Sequence, residues 1–184
     1  MTSRHPAAPL LLISAAALAV SSCAALTGGP VGNRSPPQPA KSVDLQRYSG
    51  LWFELARYDN RFEANCQAVT AEYRLRSDGL VDVLNRCRKG APGGALKSIH
   101  GRAKALAGSG DAKLKVAFFG PMLGNYWVLD HADDYSWSIV GEPSGRFLWI
   151  LTRAAHPPRA VRDDLQARAA AMGYDPSLIR QTTQ

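Results

Sequence analysis

The chain has 184 residues, 46% of them hydrophobic, with a formal net charge of +7. That length suits one domain large enough to bury a core. No repeat of solenoid length is present, and the Lys and Arg residues are scattered singly rather than gathered in a run, which argues against a nucleic-acid partner.

At the N-terminus, Arg4 precedes a run from Leu10 to Val20 that is apolar apart from Ser14. Its eleven residues match the h-region of a secretory signal peptide and fall short of the ~20 that span a bilayer. Val20-Ser21-Ser22-Cys23 follows. Small residues before a cysteine at this point resemble the lipobox of bacterial lipoproteins. That resemblance implies cleavage before Cys23, a diacylglycerol on its thiol and an acyl group on its new amine. Two or three acyl chains anchor durably at about 0.8 kcal/mol per buried CH₂. Ala24, where Asp would mark inner-membrane retention in the enteric sorting rule, points to the outer membrane. An ordinary signal peptide is one alternative. An uncleaved anchor is the other, because no charge lies between His5 and Arg34. Residues 1–22 are thus expected as signal peptide. Residues 23–43, rich in Gly, Pro and Ser, are expected as a lipidated Cys and flexible linker. The folded domain is expected over 44–184.

Leu45 to Tyr48 reads as a short helical turn. Gly50-Leu51-Trp52-Phe53-Glu54-Leu55-Ala56-Arg57 reads as the first strand, with Trp52 placed to fill the closed floor of a small barrel beside Gly50. Tyr58 to Asn65 is a loop. Gln67 to Arg76 alternates, with Val69, Ala71, Tyr73 and Leu75 on one face. Asp78-Gly79 is a hairpin turn signal before a strand from Leu80 to Arg88, with Val81, Val83 and Asn85 inward. Lys97 to Leu106 places Ile99, Gly101, Ala103 and Ala105 inside. Ala112 to Phe119 does the same with Leu114, Val116 and Phe118. Asn125 to Leu129, Tyr135 to Gly141 and Arg146 to Thr152 complete eight strands.

Eight short strands joined by hairpins predict an all-β, antiparallel up-and-down barrel, wide enough for one small ligand. The small inner residues Ala71, Gly101, Ala103 and Ala105 favour a cavity over a solid core. After Pro157-Pro158, Val161, Leu165, Ala169 and Met172 recur at helical spacing until Gly173. This C-terminal helix is expected to pack on the barrel wall, near Phe147 to Leu151.

Together these residues resemble the lipocalins, and specifically the lipoprotein lipocalins of the bacterial outer membrane. The resemblance rests on Gly50-Leu51-Trp52 with Phe53 to Arg57, on Asp134-Tyr135 after the sixth strand, and on Arg153 ending the eighth. Arg61-Phe62-Glu63, Val69 to Tyr73, Phe118-Phe119-Gly120-Pro121 and Leu148 to Leu151 point to the bacterial subgroup. The resemblance implies that Arg153 packs over Trp52 and seals the floor, a cation–π contact on the order of 1–2 kcal/mol. It also implies a calyx binding a fatty acid or lysophospholipid for envelope lipid storage, transport or maintenance. The expected cavity residues are Val69, Ala71, Tyr73, Val83, Asn85, Ile99, Gly101, Ala103, Val116, Phe118 and Tyr126. Asn85, Tyr73 or Tyr126 is placed to orient a head group. The expected site is the outer membrane, lipid-anchored, with the domain on the periplasmic side.

Catalysis is not expected. No Gly-x-Ser-x-Gly elbow is present, and His5, His100, His131 and His156 form no set with metal spacing. No cofactor or metal is expected. A structural lipoprotein with a filled barrel, and a lipid-modifying enzyme, stay open as alternatives, as does a homodimer. With Cys23 acylated, Cys66 and Cys87 are left in an exported domain, which favours a disulfide over two free thiols. A simple register would leave Cys66 about 13 Å too far along, so the bridge requires a bulge or a fold-back of the preceding loop.

Overall fold

The computed structural model describes residues 29–118, 120 and 123–184. The expected signal peptide and Cys23 lie outside the described residues. Eight antiparallel strands follow one another around a closed barrel. They are β1 (Gly50–Tyr58), β2 (Cys66–Leu75), β3 (Val81–Lys89), β4 (Leu96–Ala105), β5 (Lys113–Ala117), β6 (Leu123–His131), β7 (Trp137–Gly141) and β8 (Leu148–Thr152). Closure comes from β1, which pairs with β8 on one edge and β2 on the other. The expected strands appear with ends moved by a few residues.

The pairing defines two ends. The mouth is ringed by the β1–β2, β3–β4, β5–β6 and β7–β8 connections. The floor is closed by α1 (Leu45–Tyr48) and the alternate set of turns. Asp44 caps α1, its carboxylate accepting from the backbone N–H of Gln46 and Arg47. The Arg76–Leu80 hairpin works because Gly79 takes φ +78°, a conformation closed to most side chains.

Strand alternation divides the apolar side chains between two cores. Trp52, Tyr73, Val81, Val83, Leu114, Val128 and Leu151 fill the barrel interior. On the outer wall, Leu129, Ile139, Leu148 and Ile150 meet helix α2 (Arg159–Ala171) through Leu165 and Ala169. The helix thus docks where expected, though Val161 of its predicted stripe is exposed.

Residues 29–43 do not behave as the expected flexible linker. They form a strap down the outside of the barrel. The N–H groups of Gly32 and Asn33 donate to Gly145 O, that of Ala40 to Leu129 O, and that of Val43 to Gly110 O. Val43 is buried in the interior core. Composition suggested a tether because these residues build no core of their own. Their small size is instead what lets the backbone lie flat: a Cβ on Gly32 would fall 2.1 Å from the Tyr58 ring.

A ninth strand, β9 (Ile179–Gln181), pairs with the second half of β1 where β2 has diverged. Thr183 O accepts from Ala68 N, and the Gln184 amide donates to Glu54 O and Val69 O, so the C-terminus closes the seam between β1 and β2.

Candidate functional site

The floor is built first. Trp52 is fully buried, and its indole N–H donates to Tyr48 O at 2.8 Å. The Arg153 guanidinium lies 3.8 Å from the Trp52 ring centre. It also donates to the carbonyls of Leu51, Arg47, Tyr48 and Ser49 at 2.7, 3.0, 3.1 and 2.9 Å. Gly50 has φ +97°, and a Cβ there would sit 3.4 Å from Arg153 Nη1. Tyr135 is buried, with Arg47 4.5 Å over its ring and its hydroxyl accepting from Asp44 N. Asp134 stays at the surface, its carboxylate accepting from Ser136 N.

Above the floor is a layer of tyrosines. The hydroxyls of Tyr48 and Tyr73 each lie 2.9 Å from that of Tyr126, and Tyr48 also reaches Ser138 at 3.0 Å. Burial pushes the Tyr48 hydroxyl up to about 12 and raises those of Tyr73 and Tyr126, so all three stay neutral. Beneath this layer the enclosed space is about 10 Å³, room for a single water. It is lined in part by Tyr73, Ala103, Val116 and Tyr126. Val83, Ala103 and Val116, expected to line a ligand cavity, are buried in this packed lower half. Gly101 leaves no space either, because the Phe118 ring lies 2.6 Å from where its Cβ would be.

The open part of the barrel is the upper half. Ala71, Asn85, Ile99, Phe118, Tyr126 and Trp149 face inward yet are only half-buried, so water reaches them from the mouth. Val69 is not among them. It is buried with Cys66 and Cys87 in a small cluster at the rim. Those two cysteines form a disulfide, Cα to Cα 5.5 Å. A bulge between Gln67 and Thr70, with Ala68 at φ +45°, brings Cys66 back to Cys87.

The calyx also holds two charged residues, one of which strict alternation does not place there. Glu54 pairs across the sheet with Leu151 and Arg57 with Trp149, both inward residues. A bulge between Glu54 and Ala56 turns Arg57 from the outer face to the inner. Glu54 and Arg57 are both 2% exposed and 2.6 Å apart. Arg57 also donates to Cys66 O at 3.2 Å and to Thr182 Oγ1 at 2.9 Å. Burial, with the nearby Glu63 carboxylate, lifts the Glu54 carboxyl from 4.5 to about 8 against the pull of Arg57. Trp149 Nε1 donates to Glu63 at 3.0 Å. Arg57 Nε and Asn85 Oδ1 are buried without a hydrogen-bond partner. The signal for these residues is one charge pair inside an otherwise apolar strand, Phe53 to Tyr58. Alternation from Trp52 already turns Glu54 inward, and only the bulge reveals that Arg57 points inward too.

At the rim, Asn60 accepts from the N–H groups of Phe62 and Glu63 and shapes the 3₁₀ turn Arg61–Glu63. Phe62 stacks on Phe147 at 6.1 Å and Phe147 on Trp149 at 5.6 Å. His100 points outward. His131, expected in a loop, ends β6 instead, buried against Tyr135 with ring nitrogens bonded to Ser42 O and Ala132 O. Among the described residues no group of three His, Cys, Asp or Glu is placed to hold a metal ion.

The Lipocalin-like domain family matches residues 43–184. The outer membrane lipoprotein Blc of Vibrio cholerae is 37% identical over 154 residues, covering 83% of this chain and 90% of that protein. The outer membrane lipoprotein Blc of Escherichia coli K12 is 35% identical over 172 residues, covering 92% of each. Among solved structures, insecticyanin from the tobacco hornworm Manduca sexta superposes with a TM-score of 0.64 at 20% identity, covering 83% of this chain and 87% of that one.

Proposed function

Since the chain belongs to the lipocalin family, we propose that it carries a single-chain amphiphile, a fatty acid or lysophospholipid, in the upper half of its calyx. The observation that supports this most directly is the contrast between the two halves. Below the tyrosine layer the inward side chains Val81, Ala103, Leu114, Val116 and Val128 are buried, with Leu75 and Ala105 half-exposed toward the floor, whereas Ala71, Ile99, Phe118 and Trp149 above it are half-buried toward the mouth. The acyl chain lies against these apolar residues. The ligand's polar end has three inward partners to choose from: Asn85 Oδ1, Arg57 Nε and the Tyr126 hydroxyl. The first two lack a partner within the protein. A buried polar atom left unpaired costs on the order of 1–3 kcal/mol, which a hydrogen bond with the ligand would relieve, Arg57 Nε donating and Asn85 Oδ1 accepting.

The open upper calyx is short. From Val83, level with Tyr73, to the last β3 residue Lys89 is six residues, or about 20 Å along the strand. An eight-stranded barrel is wide enough for one small ligand, which favours a monoacyl lipid over a diacyl one. Cys23 bears the lipid anchor in this reading, in keeping with Blc relatives named outer membrane lipoproteins, and the protein stores or moves lipids in the bacterial envelope. The barrel acts as a carrier and not as a catalyst.

Native mass spectrometry of the full chain, exposed to an envelope lipid extract, tests this. The expected result is one monoacyl lipid per chain, displaced by competing fatty acid at micromolar concentration. An unliganded spectrum, or released lipid fragments in place of intact lipid, would overturn it.

A further inference from the structure

The strap decides which end of the barrel a membrane anchor can hold. At its start, Gly29 O accepts from Arg146 in the β7–β8 connection at 2.7 Å, and Gly32 and Asn33 are bonded to Gly145. These contacts are at the mouth. The strap then descends the barrel to Gly110 and to Tyr135 at the floor. Residues 24–28 alone separate Cys23 from Gly29, a link that reaches at most about 20 Å. Strands of ten residues, tilted by 35–45°, give a barrel about 25 Å tall before its turns are added. A link that leaves from the mouth is therefore too short to hold the floor against the bilayer.

The mouth is also the surface that suits lipid. Phe62, Leu96 and Leu123 are the three most exposed large apolar side chains among the described residues, at 57%, 57% and 61%. All three stand on the mouth connections or the strand ends beside them. Arg61, Lys89 and Lys97 surround them. Lys89 Nζ donates to Ala64 O at 3.1 Å and Lys97 Nζ to Phe62 O at 3.3 Å, and no carboxylate pairs with any of the three among the described residues. Of the acids at this end, Asp59 pairs with Arg180 at 3.1 Å, while Glu63 accepts from Trp149, Glu142 from Ser144 and Asp175 from Ser177, so none draws on Arg61, Lys89 or Lys97.

We propose that the barrel sits mouth-down on an anionic phospholipid surface, tethered through Cys23, with Phe62, Leu96 and Leu123 in the interface and Arg61, Lys89 and Lys97 against the lipid phosphates. This rests on the lipid anchor assigned to Cys23 above. Its consequence is that a monoacyl lipid passes between leaflet and calyx without its chain crossing water.

The full-length acylated protein in phosphatidylethanolamine–phosphatidylglycerol vesicles tests the orientation. Photoreactive benzoylphenylalanine replaces Phe62, Leu96 or Leu123 at the mouth, and Leu51 or Leu106 at the floor end, one position at a time. Irradiation should yield phospholipid adducts at the three mouth positions and none at the floor. The intact mass of each chain reports acylation separately. An acylated chain that captures lipid equally at both ends, or captures a second copy of itself at the mouth in place of lipid, overturns the orientation and leaves the anchor standing. A chain with no acyl groups overturns both.

Discussion

Removing the Cys66–Cys87 bridge is the perturbation whose magnitude the structure defines best. The bridged residues are 21 apart in sequence. In the chain-entropy treatment a loop of that length restricts the unfolded state by about 11 cal/mol/K, or roughly 3 kcal/mol at 25 °C. For a domain of this size each kcal/mol moves the melting temperature by about 2–4 °C, so the double variant Cys66→Ala/Cys87→Ala should melt roughly 6–12 °C lower. Circular dichroism on heating measures this. Wild type melted under reductant is the control, since it breaks the bond while keeping the sulfur atoms that fill the cluster with Val69. The effect should extend to function. Cys66 O accepts from Arg57, and the Arg61–Glu63 turn just before it forms part of the rim, so a freed β2 start loosens the mouth and speeds ligand release. A drop below about 1 kcal/mol in both variant and reduced protein, with the bridge confirmed by thiol titration before reduction, would refute the loop-entropy argument.

Replacing Ile99 with Trp should fill the upper calyx and cut ligand affinity about tenfold or more while stability shifts by less than about 1 kcal/mol, read by probe displacement and urea melts. Ala103→Trp, by contrast, overpacks the closed lower half and should cost about 1–3 kcal/mol or more; equal behaviour of the two would remove the division of the barrel into halves. Glu54 gives a pH dependence. Its folded-state carboxyl is raised to about 8, so the folded chain keeps a proton that the unfolded chain releases near 4.5. Stability from this group is therefore complete at low pH and declines by about 1 kcal/mol per unit as pH rises through that window, levelling off above pH 8. Glu54→Gln should flatten the decline in chemical-denaturation series, and an unchanged slope would assign it to another group. Arg153→Lys keeps a cation near Trp52 but cannot donate to four carbonyls at once, so it should cost about 1–3 kcal/mol in the same melts; full stability would show that the charge alone seals the floor.

The buried Glu54–Arg57 pair is better read as a constraint on geometry than as a source of stability. Burial keeps the Glu54 carboxyl protonated below about pH 8, so there the contact is a hydrogen bond from the Arg57 cation, and the cost of desolvating that cation offsets much of it. Together with Thr182 and the carbonyls of Cys66 and Glu63, the pair joins β1, the rim and the C-terminal seam into one unit. Truncating Glu54 would leave the Arg57 charge without its nearest acceptor inside the calyx.

By itself the sequence determined whatever depends on periodicity and on turn chemistry. Period-two alternation from Thr70 to Phe118 set which side chains face inward, and Asp78-Gly79 set a hairpin. Leu165 and Ala169, four apart, set the helix face that docks. These are local properties, each legible within a window of ten residues. What the tertiary structure alone decided involves partners far apart in the chain. The strap 29–43 has the composition of a linker and is ordered only because carbonyls of Gly145, Leu129 and Gly110 await its N–H groups. The β1 bulge turns Arg57 inward, and the β2 bulge brings Cys66 to Cys87. A bulge breaks the alternation that sequence reading relies on and leaves no composition mark of its own. The depth of the calyx was beyond the pattern as well. Small residues at 101 and 103 promised space, and rings from other strands, Phe118 and the tyrosine layer, occupy it, because packing density is settled by what arrives from across the barrel.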